Sequence, residues 1–119
     1  MIEIDLFFHL SNDTELNTLV DGRIYPLLIP QGGKFPAVVY TIVNNRELQS
    51  LNYREPYGFD VRVQIDCYSP SFSETLTVKE AVQNAMHEFK HKAHGFNSHS
   101  NYEPEVKLHR QLIEFNLKG

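Results

Sequence analysis

His87-Glu88-Phe89-Lys90-His91 is the stretch of this sequence whose spacing comes nearest to a reaction centre. Two histidines four residues apart lie one turn apart on a helix and can hold a zinc ion, with the glutamate beside a metal-bound water as base. Catalysis also needs a third protein ligand, for which His94, His99, Glu103 and Glu105 stand close enough in sequence to be nominated. The helix that would carry the pair argues the other way. At ~100° per residue its apolar stripe, Phe72, Leu76, Val82, Ala85, Met86 and Phe89, points away from His91 and only skirts His87. The pair then faces solvent, and one small domain has no second lobe to enclose a metal and orient its imidazoles. These residues read instead as a solvated helix end, where Lys90, Lys92 and protonated histidines meet the negative pole of the helix dipole. His87 and His91 are expected to bind adventitious metal at most, and no metal or cofactor is expected.

Other chemistry is weaker still. Asp60 and Asp66 sit six residues apart on one strand, ~20 Å, too far for joint acid-base work. The sequence holds no nucleophile elbow, P-loop or dinucleotide fingerprint. Cys67 is the single cysteine and falls in phase with Phe59, Val61, Val63 and Ile65, so it reads as a small core hydrophobe. Asn12-Asp13-Thr14 matches a glycosylation sequon, which has no consequence without secretion. The polar stretch from Arg46 to Tyr57 reads as a long loop between strands. It carries Tyr53, Arg54 and Tyr57, the residue types that most often anchor interfaces, and long loops in compact domains tend to be functional.

The elements that position these residues follow from periodicity. Residues 2–20 read as a helix in two pieces, broken at Ser11 and Asn12, with Asn12 and Glu15 at capping-box spacing and Asp21-Gly22 as the stop. From Arg23 to Phe35, Pro26, Pro30, Gly32 and Gly33 forbid a long regular element. Ala37 to Val43 is rich in β-branched and aromatic residues and reads as a central strand. Then comes the clearest alternation: Phe59, Val61, Val63, Ile65 and Cys67 toward a core, Asp60, Arg62, Gln64 and Asp66 toward water or a partner. Ser71 to Glu74 opens the main helix, expected to fray near Ala93 to Gly95. His94 to Glu105 reads as a polar loop and Val106 to Leu117 as the last strand. The order helix, strand, strand, helix, strand predicts a single α+β domain over residues 1–119, an antiparallel sheet with helices packed on one face.

The totals narrow the class. A chain of 119 residues with 41% hydrophobic and 22% charged residues is the size and composition of one globular domain. A net charge of −4 argues against a surface built to grip nucleic acid, so no sequence-specific nucleic-acid partner is expected. No run is apolar enough to span a bilayer and the first residues carry acids rather than a basic leader, so no membrane partner is expected either.

Leu19 to Pro26, then Pro30-Gln31-Gly32 and Pro36-Ala37-Val38-Val39-Tyr40, resemble the tail completion and tail terminator family of siphophages and prophages. The run Val61-Arg62-Val63-Gln64-Ile65-Asp66-Cys67-Tyr68-Ser69 is similar to that family's second block, while the histidine-containing segment His91 to Asn101 departs from its pattern. The resemblance implies a non-enzymatic α+β subunit. It would close the head-proximal end of the tail tube as a homo-oligomeric ring, a hexamer, ending tail growth and joining tail to head. Its partners would be its own copies, the tail tube protein and the head-tail connector protein; its place would be the host cytoplasm during assembly and then the virion tail. Arg23, Tyr53, Arg54 and Tyr57 are the expected interface residues. Three other readings compete. A neighbouring connector or neck subunit would share the fold, a small zinc hydrolase would need Glu88 and stoichiometric metal, and an unrelated binding module would stay monomeric.

Overall fold

The structure, a computed structural model, describes residues 2–49 and 56–118. The amino-terminal pair of helices is as expected, α1 at Ile2–Asn12 and α2 at Thr14–Val20. Ile2, Leu6 and Leu10, spaced four apart, are the buried stripe of α1, and Leu16 and Val20 that of α2. The cap is shifted from the sequence reading. Asp13, not Asn12, takes the extended backbone at the start of α2, and its carboxylate accepts the Leu16 amide at 2.9 Å. Asp21 closes α2 in the left-handed region at φ 50°, its amide donating to the Asn17 carbonyl.

The Pro- and Gly-rich connection holds a strand too short for periodicity to reveal, β1 at Ile24–Pro26. It runs parallel to β2, Ala37–Gln49, pairing with residues 38–40. β3, Pro56–Ser69, is antiparallel to β2. The stretch Arg46 to Tyr57, expected as loop, is therefore, in its described residues, the arm of a long hairpin. Its residues are polar because the hairpin runs on as two strands past Lys118, the last residue paired with β3 on its other side, and a two-stranded arm has no core to fill.

α3 spans Phe72–His87. Ser71 caps it, its hydroxyl accepting the Glu74 amide at 3.3 Å, while the Ser69 hydroxyl donates to the Glu74 carboxylate at 2.5 Å. The buried stripe is Thr75, Val78, Ala81, Val82, Ala85 and Met86, so Phe72 and Leu76, assigned to the core by periodicity, are instead exposed. The helix also ends earlier than expected: the Glu88 amide bonds the Ala85 and Met86 carbonyls. Lys92–Glu103 is neither a helix tail nor a loop but the strand β4, and β5 is Leu108–Lys118. β4 escapes a sequence reading because it lies at the sheet edge and is mostly polar, so no apolar alternation marks it. Gly95, expected to close the helix, sits at φ +70° in a bulge of β4 between His94 and Asn97.

The five strands form one sheet in the order β1-β2-β3-β5-β4, antiparallel except at β1. Register carries one apolar row after another across it: Val38, Cys67 and Gln111; Tyr40, Ile65 and Ile113; Ile42, Val63 and Phe115; Val61 and Leu117. These rows face the helices and form the core with Leu6, Leu10, Leu16, Val82 and Met86. Each such large side chain, withdrawn fully from water, contributes about 1.5–3 kcal/mol. Gln111, the polar residue in these rows, is satisfied: its carbonyl accepts the Ser100 hydroxyl at 2.9 Å and its amide donates to the Thr75 hydroxyl at 3.4 Å.

Candidate assembly surface

Alternation sends the intervening residues of β2, β3 and β5 to the second face of the sheet, opposite the helices. Asp66 lies there, on the face expected to meet water or a partner, and within the chain it is already almost wholly buried. Its carboxylate accepts the Arg110 Nε hydrogen at 2.8 Å and the Gln64 amide at 3.0 Å. The Arg110 guanidinium also reaches Glu103 at 3.4 Å and stands 5.7 Å from the Tyr68 ring centre. One row nearer the hairpin tip than Gln64, Arg62 pairs with Glu114 at 2.5 Å. The Asp66 hydrogen bond holds Arg110 above its ordinary range, while burial, then the charge of Asp66, pushes the Tyr68 hydroxyl up. A charge-assisted network of this kind fixes the rotamers of the face on which it sits.

Part of this face is roofed by the segment after β1. Leu27, Leu28 and Ile29, with Val39, Thr41, Gln64, Asp66, Tyr68 and Arg110, line a cleft of about 310 Å³. Leu27 adopts φ 69°, a region costly for a side chain with a Cβ. It is held there by its amide bonding the Tyr40 carbonyl at 3.0 Å and by the Leu28 amide bonding Pro26 at 2.8 Å. The effect is to leave Leu27 and Leu28 exposed at the rim.

The expected interface residues are not gathered into one group. Arg23 is turned inward: its Nε donates to the Pro36 carbonyl at 2.8 Å and its guanidinium lies 3.6 Å from Asp21, so it braces the α2 exit against the start of β2. Tyr53 and Arg54 lie outside the described residues. Tyr57 belongs to β3, with its side chain outside the described set. What the sequence reading missed is Asp66 with Arg110 and the Leu27-Leu28 rim. Alternation does place both charged residues outward, but they are 44 residues apart, and only the β3–β5 pairing joins them.

The histidine motif is taken apart by the fold. His87 ends α3 and stands against Phe96, ring centres 5.2 Å apart, whereas His91 lies beyond the helix, 5.4 Å from the Phe89 ring and 3.9 Å from the Asp5 carboxylate. The one-turn spacing that two zinc-binding imidazoles need is therefore not held by a helix. Lys90 likewise sits past the helix end and pairs with Asp5 at 3.1 Å. Its hydrogen bond holds the Asp5 carboxyl below the usual range, while burial, then the Lys90 charge, lowers the His91 imidazole. Among the described residues no three His, Cys, Asp or Glu side chains are grouped to hold a metal, and no helix is long and apolar enough to cross a membrane.

Comparison with known proteins bears on the whole chain. The family described as Tail completion protein gp17 matches residues 4–117. A chain in a solved structure titled "Virion of native gene transfer agent (GTA) particle" has the same fold, with a TM-score of 0.65 at 14% identity over 95% of this chain and 90% of that one. No curated protein matches the sequence.

Proposed function

Since this chain belongs to the tail completion protein gp17 family, a family of structural phage tail proteins and not of enzymes, we propose that it caps the head-proximal end of the tail tube as a hexameric ring. In that position it ends tube growth and offers the surface to which the head connector joins. The observation that carries this reading is the two-sided sheet. One face is sealed by three helices, while the other bears an ordered network of Asp66, Arg110, Gln64 and Glu103 beside exposed Leu27 and Leu28. Rigid polar groups with a few apolar anchors suit docking to other subunits, and a head-to-tail contact repeated by rotation closes a ring. The similar fold in a gene transfer agent virion agrees with a particle component.

The experiment is assembly of particles from a genome lacking this gene. Tails of irregular length and filled heads without tails are the expected products, restored when the protein is supplied separately. Uniform tails attached to heads in its absence would refute the proposal.

A further inference from the structure

The sheet has two edges of different kind, and they are suited to each other. β4 is one edge along its whole length of 12 residues. Between Lys92 and Glu103 it contains no proline and no Asp, Glu, Lys or Arg, so beyond the bulge between His94 and Asn97 it lacks the charges and prolines that usually keep an open strand from pairing with another chain. The other edge is β1 where it covers residues 38–40 of β2; beyond them, among the described residues, the outer side of β2 is open from Thr41 to Gln49. Each edge therefore presents a row of backbone N–H and C=O groups with no strand beside it.

Resting on the ring reading above, we infer that the subunit contact is strand addition, β4 of one copy pairing with the Thr41–Gln49 edge of β2 in the next copy. Level and direction carry the inference. Register places Thr41, Gln64, Glu114 and Asn97 in one row across the sheet, and Arg46, Asp60, Lys118 and Lys92 in another. The open part of β2 thus overlaps β4 in height over Thr41–Arg46 and Lys92–Asn97, with no axial shift needed to bring these stretches together, while Ser98–Ser100 stand level with the residues of β2 that β1 covers. β2 and β4 run in opposite directions, because each neighbouring pair between them is antiparallel. Rotation about an axis parallel to the strands preserves direction, so β4 meets the next copy's β2 antiparallel, the favourable ladder.

Both strands also carry a bulge at the same height, between Ile42 and Asn44 in β2 and between His94 and Asn97 in β4. Bulges bend a sheet, as a closed ring requires. At this height each copy contributes four strands, β2, β3, β5 and β4. Repeated six times at ~4.8 Å per strand, they close on a diameter on the order of 35 Å. The helices, being the bulkier layer, lie outside, and the polar face with Arg62, Gln64 and Glu114 lines the bore.

The test uses the full chain at concentrations where light scattering reports its mass. One preparation carries Thr41→Cys, a second Asn97→Cys and a third His99→Cys, two residues farther along the same face; Cys67 is buried. A short bismaleimide should join the Thr41→Cys chain to one of the β4 variants in mixtures and none of the three to itself. Backbone amides of Lys92–Asn97 and of Thr41–Arg46 should exchange at least about tenfold more slowly in the oligomer than in the dilute chain. An oligomer with no mixed cross-link and unchanged exchange in β4 overturns strand addition and leaves the ring reading standing. Self-linking of Asn97→Cys or His99→Cys shows a two-fold β4–β4 contact and also overturns it. A chain that stays monomeric at every concentration overturns both.

Discussion

Removal of the Arg110 side chain is the most direct test of how the second face is held. Asp66 retains only 5% of its side-chain exposure, and Arg110 retains 22%. Truncating one member of a buried pair strands the other, which typically costs 3–5 kcal/mol, most of it the desolvation of the lone charge. Here the carboxylate lines the cleft roofed by Leu27 and Leu28, which leaves room for solvent to reach it once Arg110 is gone, and Gln64 still donates one hydrogen bond to it. Arg110→Ala should therefore lie below that range, at about 2–3 kcal/mol. For a chain of this length that is roughly a 10 °C fall in Tm. Glu103, the half-exposed third member, should contribute little. The assay is urea unfolding followed by circular dichroism for Arg110→Ala, Arg110→Met, Asp66→Leu and the Asp66→Leu/Arg110→Met double variant. Removing both charges leaves nothing stranded, so the double variant should recover most of the loss, with a coupling of about 2 kcal/mol. An Arg110→Ala cost under about 0.5 kcal/mol, the size of an ordinary surface change, or a double variant that merely sums the singles, would show that Asp66 is solvated and the network does not order the face.

Acidification should weaken the fold in two stages. The folded state holds His91 below its ordinary 6.5 and Asp5 below its ordinary 3.8, so in both windows the unfolded chain binds more protons and stability falls as pH falls. The urea midpoint should drop between pH 7.5 and 5.5, with His91→Asn flattening that portion; a midpoint that rises on acidification contradicts the assignment. The capping assignment separates two neighbours: Asp13→Ala should cost about 1 kcal/mol, while Asn12→Ala should stay within about 0.5 kcal/mol, both read by chemical denaturation. Cys67, whose thiol burial pushes up from its ordinary range, should react with a thiol reagent only as the chain unfolds, so rapid labelling of the native protein would place it outside the core.

The apolar periodicity of Val61, Val63, Ile65 and Cys67 was legible because those side chains meet a continuous layer of helices, and burial leaves its mark on residue type. The same reasoning misplaced Phe72 and Leu76, since the side of α3 that meets the sheet begins at Thr75 and Val78 and leaves those two residues exposed. It read β4 as loop and the hairpin arm as a connection, because strands with little core to cover carry no apolar alternation. His87 and His91 looked like a one-turn pair only while the helix was assumed to run on past Glu88. The clamp role of Arg23 was equally hidden, its partner carbonyl belonging to Pro36 across the turn.

The sequence by itself determined the class of the domain, the two-part amino-terminal helix, the register of β3 and the burial of Cys67, all of which depend on local propensity or on the period of apolar residues along one element. Only the tertiary structure decided that Asp66 meets Arg110, that β1 and β4 exist, and that the open edges of β2 and β4 lie at one height. Those features depend on which strands become neighbours. Neighbour choice is settled by the joint packing of the whole core, and it leaves no periodic trace in any single segment.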